Sequence, residues 1–112
     1  NGAFLNNQRL RVSKKNNISD CLFATGGKIE EMDFQFRKSG CAALDLAYVA
    51  AGRYDGYFQH DLNLWDVAAG IIILKEAGGI INDINLSNYS NLKIIASSAN
   101  INANLKEKLV NF

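Results

Sequence analysis

The feature that most constrains the fold is one apolar segment near the middle of the chain. It begins at Asp66, continues through residues 67–74 and stops before Gly78 and Gly79. Because almost every position in the run is apolar, the segment predicts a helix with no clear polar side. A helix of this kind has to be covered on more than one side. We therefore expect it to be buried between the layers of a folded domain.

The rest of the chain alternates strand patterns with two further helices. Strands are predicted at residues 21–25, 34–37, 54–60, 80–84 and 93–96. A hairpin is predicted at residues 3–13 with its turn at residues 6–8. Helical spacing covers residues 41–51 and stops at Gly52, and an amphipathic helix is predicted at residues 102–110. Strands that alternate with helices of this length predict a layered α/β architecture.

Composition and charge argue against several classes of protein. The formal net charge of +1 gives no electrostatic basis for nucleic acid as a direct partner, and the four basic residues between positions 9 and 15 suit a solvated hairpin. The apolar runs are far shorter than the about 20 residues that cross a bilayer. The start lacks the basic and apolar parts of a signal peptide, so we expect a cytoplasmic protein with no membrane contact.

Cys21 and Cys41 lack metal-type spacing and are expected to be buried, reduced thiols.

Asp66 is the first candidate for a functional side chain. An Asp at the start of a helix commonly caps it by accepting hydrogen bonds from the backbone N–H groups of the first turn. The same carboxylate, fixed at the positive end of the helix, can also face a cation or a substrate hydroxyl. The spacing does not separate these two interpretations, and both can hold together.

Three other polar or aromatic residues receive structural interpretations. Asp45 lies inside an apolar helix, where local hydrogen bonds are expected to satisfy it. His60 has no nucleophile in its sequence neighbourhood and is interpreted as a loop histidine. Trp65 is expected to pack and so to fix the angle at which Asp66 is presented.

Three segments of the sequence carry a resemblance to one family. They are GAFLNNQRLRVS at residues 2–13, SGCAALDLAYVAAGRYDGY at residues 39–57, and WDVAAG at residues 65–70 followed by EAGG at residues 76–79. The WDVAAG and EAGG segments together resemble the second signature of the inositol monophosphatase family. The middle segment is similar to the bacterial branch of that family, and the first resembles the hairpin that precedes the second half of its fold.

The resemblance implies both a fold and an activity. The fold is the C-terminal half of the family's layered α-β-α sandwich, with residues 1–15 forming a hairpin that belongs to the end of the N-terminal half and residues 16–112 forming the C-terminal α/β subdomain. The activity is Mg²⁺-dependent hydrolysis of inositol monophosphate or a related sugar phosphate. A homodimer is implied for the full-length protein.

The resemblance also assigns candidate site residues. Asp66 is expected to bind magnesium and to contact a substrate hydroxyl. Gly40, Cys41 and Ala42 are expected to line the sugar pocket through their backbone. Gln59 stands where the family usually has a Glu that binds ring hydroxyls, and a Gln donates and accepts hydrogen bonds without a charge. No residue of this chain is assigned a catalytic role.

The family's main metal cluster is not found in this sequence. Its Asp-Pro-Ile/Leu-Asp-Gly-Thr segment and the preceding Glu belong to the N-terminal half, and this chain contains no proline. One carboxylate does not hold magnesium in a catalytic arrangement. The chain also starts without Met, inside a strand pattern, and the segment between Gly27 and Arg37 is shorter than the helix-containing segment usual there. We therefore expect a C-terminal fragment that is nearly inactive alone and needs the missing N-terminal half as a partner.

Two alternatives stay open at this stage. One is a related phosphatase that acts on a 3′-phosphoadenosine-type nucleotide or on fructose bisphosphate, although residues 42–52 favour the inositol branch. The other is a non-catalytic regulatory partner of the transcription machinery, a role that some bacterial members of the family also have.

Overall fold

A five-stranded mixed sheet organises the chain in the computed structural model, which describes residues 2–26, 35–38, 40–82, 84 and 89–109. Its strands are β3 (Leu22–Thr25), β4 (Gln35–Lys38), β5 (Gly56–Leu62), β6 (Ile80–Ile81) and β7 (Leu92–Ser97), in the spatial order β4-β3-β5-β7-β6. β3 pairs in parallel with β4 and β5, whereas β7 pairs antiparallel with β5 and β6. The central strand β5 therefore joins a parallel half to an antiparallel half.

Helices cover both faces of this sheet. They are α1 (Ala42–Ala50), α2 (Leu64–Glu76) and α3 (Asn102–Lys108). Neighbouring residues of β5 point to opposite faces, as the pleat of a strand requires. Tyr57 joins the apolar cluster under α1 and α2, and Phe58 joins the cluster under α3. The predicted α-β-α sandwich is confirmed.

The predicted hairpin precedes the sheet and is confirmed with a shorter turn. β1 (Phe4–Leu5) pairs antiparallel with β2 (Gln8–Arg9). Asn6 and Asn7 have φ angles of +52° and +67°. Positive φ at both central residues is what a two-residue type I′ turn requires, and Asn tolerates it better than most residues. The prediction that Gln8 belongs to the turn was wrong, because Gln8 already pairs in β2.

Helix α1 follows the sequence prediction closely. It ends where Gly52 adopts a φ of +76°, and the Gly52 N–H donates to the carbonyl of Val49 at 3.0 Å. A Cβ at this glycine would also lie 3.1 Å from the carbonyl oxygen of Arg11. Left-handed backbone next to a packed loop is a place where glycine is favoured. Asp45 is buried on the inner side of α1.

Helix α2 is the main correction to the sequence analysis. Its buried residues are Val67, Gly70 and Leu74, whereas Trp65 is 81% exposed and Ile72 is 64% exposed. In the part of the chain that the structure describes, α2 packs mainly on α1 and β6. The prediction that α2 is buried between layers was therefore wrong for this chain, because these contacts cover only one of its sides. The prediction that this apolar segment forms a helix is confirmed.

Several element ends differ from the predicted ones. β6 stops at Ile81. At Asn82 the backbone N–H still donates to the Ile95 carbonyl at 3.1 Å, and the side chain accepts from the Ile95 N–H and donates to the Lys93 carbonyl, both at 2.8 Å. β5 begins two residues later than predicted and extends to Leu62. The shortened segment predicted after Gly27 lies largely outside the described residues, as does the predicted end of α3 at residue 110.

None of the described helices is long and apolar enough to cross a membrane.

The two cysteines differ in their surroundings. Neither cysteine forms a disulfide, and Cys21 is buried whereas Cys41 is exposed. Burial, together with the nearby Asp55 carboxylate, raises the pKa of the Cys21 thiol to about 11. The prediction of two buried thiols was therefore right for Cys21 and wrong for Cys41, which stands just before α1 at the mouth of the cavity described next.

Candidate functional site

A cavity of about 670 Å³ lies where α1, α2 and β5 meet. All five candidate residues from the sequence analysis line it, namely Gly40, Cys41, Ala42, Gln59 and Asp66. Gly26, Ala43, Asp61, Leu62 and Trp65 complete the lining. The candidates come from three separate segments of the chain, so the fold brings together residues that the sequence keeps apart.

The first wall of the cavity is the start of α1. Gly40 has a φ of +80°, and a Cβ there would have nothing within 4 Å, so its backbone conformation rather than crowding favours glycine. Cys41 is extended and precedes the first helical residue, Ala42. Backbone N–H groups in the first turn of a helix have no intrahelical partner and carry its positive end. This wall can therefore offer backbone donors to a ligand oxygen.

The second wall is the end of β5, which contains a bulge. The pairing register with β7 shifts between Gln59 and Leu62, and Asp61 has a φ of +59°. With strict alternation, Leu62 would share the face of Phe58, but it joins the cluster under α1 and α2 instead. Bulges redirect side chains in this way beside functional sites. Asp61, two positions after Gln59 on the same strand, also lines the cavity, and sequence reasoning assigned it no role.

His60 lies within the same bulged part of β5. It is exposed and belongs to the strand, so the prediction of a loop histidine was wrong. Its side chain is not part of the cavity lining.

Gln59 is held by a buried tyrosine. Tyr57 is completely buried, and its hydroxyl donates a hydrogen bond to Gln59 Oε1. Burial raises the pKa of Tyr57 well above its usual value, and the nearby charges of Asp45, Cys41 and Asp66 raise it further. The hydroxyl therefore stays protonated and remains a donor. Below the amide, a Cβ at Gly26 would lie only 2.6 Å from Gln59 Cδ, so glycine leaves the space that the carboxamide occupies.

Asp66 stands in the first turn of α2 and not at its cap. The helix begins at Leu64 after Asn63, and the Asp66 N–H donates to the Asn63 carbonyl at 3.0 Å. The N-cap interpretation of Asp66 was therefore wrong. Its side chain is exposed and lines the cavity. A carboxylate in a first helical turn is stabilised by the positive end of the helix.

Trp65 forms an exposed part of the same wall. Its ring stacks on that of Tyr89, with 6.3 Å between ring centroids and 8° between the planes. The backbone N–H of Leu64 also donates to the Tyr89 carbonyl at 2.9 Å. The prediction that Trp65 is a packed residue was wrong, since it is mostly exposed. The stack and the backbone bond nevertheless attach the start of α2 to the Tyr89 loop.

The donor set at the cavity fits only part of a magnesium site. Asp66 offers the hard oxygen ligand that magnesium prefers, and Asp61 lines the same cavity. Within the described ranges, no group of three or more His, Cys, Asp or Glu side chains is arranged to hold a metal ion. These residues can thus contribute ligands to a magnesium ion, but they do not complete a site by themselves.

Comparison with known proteins defines the class. The model of the inositol monophosphatase family matches residues 1–111, and the chain belongs to that family. The solved inositol monophosphatase from Anabaena superposes with a TM-score of 0.84 at 34% identity, and the match covers 98% of this chain and 51% of that one.

Two curated relatives carry different names. The inositol-1-monophosphatase of Rhizobium meliloti is 45% identical, over 70% of this chain and 35% of its own length. The Nus factor SuhB of Escherichia coli is 44% identical, over 73% of this chain and 37% of its own length. The chain thus spans little more than a third of these curated relatives and about half of the solved structure.

Proposed function

We propose that this chain forms the sugar-binding side of a Mg²⁺-dependent phosphomonoesterase that acts on inositol monophosphate or a related sugar phosphate. The observation that carries the proposal is the shared cavity: the residues that the resemblance assigned to substrate and metal line one space between α1, α2 and β5. Membership of the family and a relative named inositol-1-monophosphatase support it.

The cavity offers complementary groups for a polyol. The start of α1 supplies backbone donors beside Gly40, Cys41 and Ala42. Gln59 supplies a neutral amide, and Asp66 supplies a carboxylate that accepts hydrogen bonds from hydroxyls. Magnesium, when bound, would supply the activation of water and the stabilisation of the leaving alkoxide. Asp66 would contribute a ligand to that ion and would accept a hydrogen bond from a substrate hydroxyl.

We further propose that the carboxylates needed to complete the metal site come from an N-terminal half. The described residues provide too few ligands, so the 112-residue chain alone should bind magnesium weakly and hydrolyse little. The working protein would be a cytoplasmic homodimer of chains that contain both halves.

The test measures phosphate release from myo-inositol 1-phosphate with Mg²⁺, using this chain alone and the chain together with its N-terminal half. We expect release near background from the chain alone and magnesium-dependent release from the combination. In the combination, Asp66→Asn should lower kcat/KM by about 100-fold or more, because a metal ligand is lost. Asp20→Asn, which changes an exposed carboxylate outside the cavity lining, is the matched control and should stay within about twofold. Full activity in Asp66→Asn would refute the role of this residue.

The choice of substrate is tested by a panel. It compares myo-inositol 1-phosphate with fructose 1,6-bisphosphate and adenosine 3′,5′-bisphosphate under the same conditions. A higher kcat/KM for either bisphosphate would show that this bisphosphate, and not inositol monophosphate, is the preferred substrate.

A second candidate function is a regulatory contact with the transcription machinery, which the similarity to a Nus factor favours. It predicts that the Asp66→Asn form of the complete protein still captures purified RNA polymerase. Failure of both the wild-type and the Asp66→Asn forms to bind polymerase would remove this candidate.

A further inference from the structure

We infer that Gln59 contacts its ligand as a hydrogen-bond donor through Nε2, and that Tyr57 is the positioning residue that imposes this orientation. The inference rests on the proposed function only in taking the cavity as a sugar-phosphate site. The orientation of the amide follows from contacts within the chain.

The first step is the direction of the hydrogen bond between these residues. Tyr57 and Gln59 are two positions apart on β5, so their side chains lie on the same face of the strand. A completely buried tyrosine has to place its hydroxyl proton on an acceptor, since an unsatisfied buried donor is costly. Gln59 Oε1 is the acceptor that the structure provides. The amide oxygen of Gln59 is thereby turned towards the protein, with one of its lone pairs occupied by Tyr57.

The second step is the space around the amide. Gly26 lines the same cavity, and a Cβ at this position would overlap the carboxamide of Gln59. The amide thus lies over the Gly26 backbone and is held at its oxygen end by Tyr57. Its nitrogen, which has two protons and cannot accept, is then the group that Gln59 presents to a ligand.

The third step is what this means for recognition. Asp61 and Asp66, which line the same cavity, are acceptors when ionised and select ligand hydroxyls that donate a proton. Gln59 donates instead, so it selects a ligand oxygen that accepts a hydrogen bond. That oxygen does not have to carry a proton. A carboxylate at position 59 would instead need a hydroxyl there. The chain should therefore accept two kinds of ligand. One is the ring form of aldose and ketose phosphates, whose ring oxygen has no proton. The other is cyclitol phosphates, in which every ring carbon carries an oxygen substituent.

The orientation itself can be tested on this chain by NMR, without any activity. The Gln59 side-chain resonances are assigned from their loss in Gln59→Leu. We expect both Nε2 protons to exchange rapidly with water, and the Cδ resonance to move upfield in Tyr57→Phe as the carbonyl loses its hydrogen bond. An Nε2 proton that is protected in the wild type and released in Tyr57→Phe would show the reverse orientation and overturn the inference. Gly26→Ala, which displaces the amide while keeping Tyr57, should move the same resonances.

The consequence for recognition is tested in the complete protein with myo-inositol 1-phosphate. Tyr57→Phe and Gly26→Ala should each raise KM by about 5- to 10-fold while kcat stays within about twofold, because an oriented hydrogen bond to the ligand is lost. Tyr54→Phe, a half-buried tyrosine outside the cavity lining, is the matched control and should change neither constant. An unchanged KM in both Tyr57→Phe and Gly26→Ala would overturn the positioning role.

Gln59→Glu gives the complementary result. It should lower kcat/KM for glucose 6-phosphate relative to myo-inositol 1-phosphate by about 10-fold, the effect of losing one hydrogen bond. An unchanged ratio would contradict the donor role. If the complete protein releases no phosphate from any substrate, the proposed function fails, whereas the NMR result still decides the orientation of Gln59.

Discussion

The two faces of the central sheet are built for different purposes. The α3 face is closed mainly by apolar side chains, namely Cys21, Phe23, Phe58, Ile95, Ile101, Leu105 and Leu109. Its buried polar side chains Asn102 and Ser97 hydrogen-bond to each other. The opposite face also has an apolar cluster, but it opens into the cavity beside Gln59 and Asp66. Both faces share β5, which sends alternate side chains to each. The α3 face can thus supply stability while the other face carries exposed polar groups, and changes on the two faces should have separable effects.

The largest expected loss of stability lies on the α3 face. Phe58→Ala removes a completely buried ring that packs on Phe23 with 6.5 Å between the ring centroids. It should lower the free energy of unfolding by about 3–5 kcal/mol, through lost burial and the cavity that remains. Urea unfolding followed by circular dichroism measures the change.

The matched control is Phe4→Ala, which truncates a ring that is 61% exposed. It should change the free energy of unfolding by less than about 0.5 kcal/mol. Equal losses in the two variants would mean that the α3 face is not the stabilising one.

A smaller loss is expected between the two helices of the cavity face. A Cβ at Gly70 of α2 would lie 2.8 Å from both Cβ and Cδ1 of Leu46 in α1. Helix propensity alone would make Gly70→Ala stabilising by about 1 kcal/mol. Overpacking opposes this gain by about 1–3 kcal/mol, so we expect a net loss of about 1 kcal/mol.

The sign of that change is decisive. Ala69→Gly, at the exposed neighbouring position, measures the propensity contribution by itself. If Gly70→Ala stabilises the protein by the amount that Ala69→Gly costs, the close approach of α1 and α2 is absent in solution.

The smallest effect on stability is expected from modifying the thiol of the cavity face. At pH 8, iodoacetamide should alkylate exposed Cys41 readily, without measurable change in the free energy of unfolding. Cys21, with its pKa raised to about 11 by burial, is about one part in a thousand thiolate at that pH and should react only after unfolding. Mass spectrometry should show one alkylated cysteine in buffer and two in urea.

The control is Cys41→Ser, which should leave no fast-reacting thiol. The raised pKa of Cys21 also gives a direction for pH: the folded state favours the protonated thiol, so its contribution to stability is present below pH 9 and is lost as the pH rises through 11. Alkylation of Cys21 as fast as Cys41 in buffer would show that the α3 face opens readily.

The elements that could be predicted from sequence are those fixed by local chemistry. The turn at Asn6 and Asn7 and the end of α1 at Gly52 depend on residues that tolerate a positive φ. Gly40, Cys41, Ala42 and Asp66 were found because the resemblance carries them in intact segments, whereas Gln59 was assigned from its position between those segments. Their roles as substrate and metal ligands stay predictions, although the fold brings the residues together.

What could not be predicted depends on contacts between distant segments. The bulge that turns Leu62 towards the cluster under α1 and α2 arises from pairing between β5 and β7, which no local pattern encodes. Whether Trp65 and Cys41 are exposed depends on which other elements cover them. An apolar sequence shows that burial would be favourable, but not whether a covering partner is present. The same limit explains why α2 was expected to be more enclosed than it is.

The central position of β5 has a consequence for how the chain folds. Gly56 pairs with Phe23 on one side and with Ser97 on the other, so the sheet cannot close until segments far apart in the chain have met. Asp55 fastens one of these junctions by accepting from the Leu22 N–H at 2.7 Å. Pairings over such long separations are slow to form, because loop-closure entropy is lost before the contacts compensate for it. Refolding of this chain should therefore be much slower than that of a helical bundle of equal length, and during synthesis β5 must wait for β7.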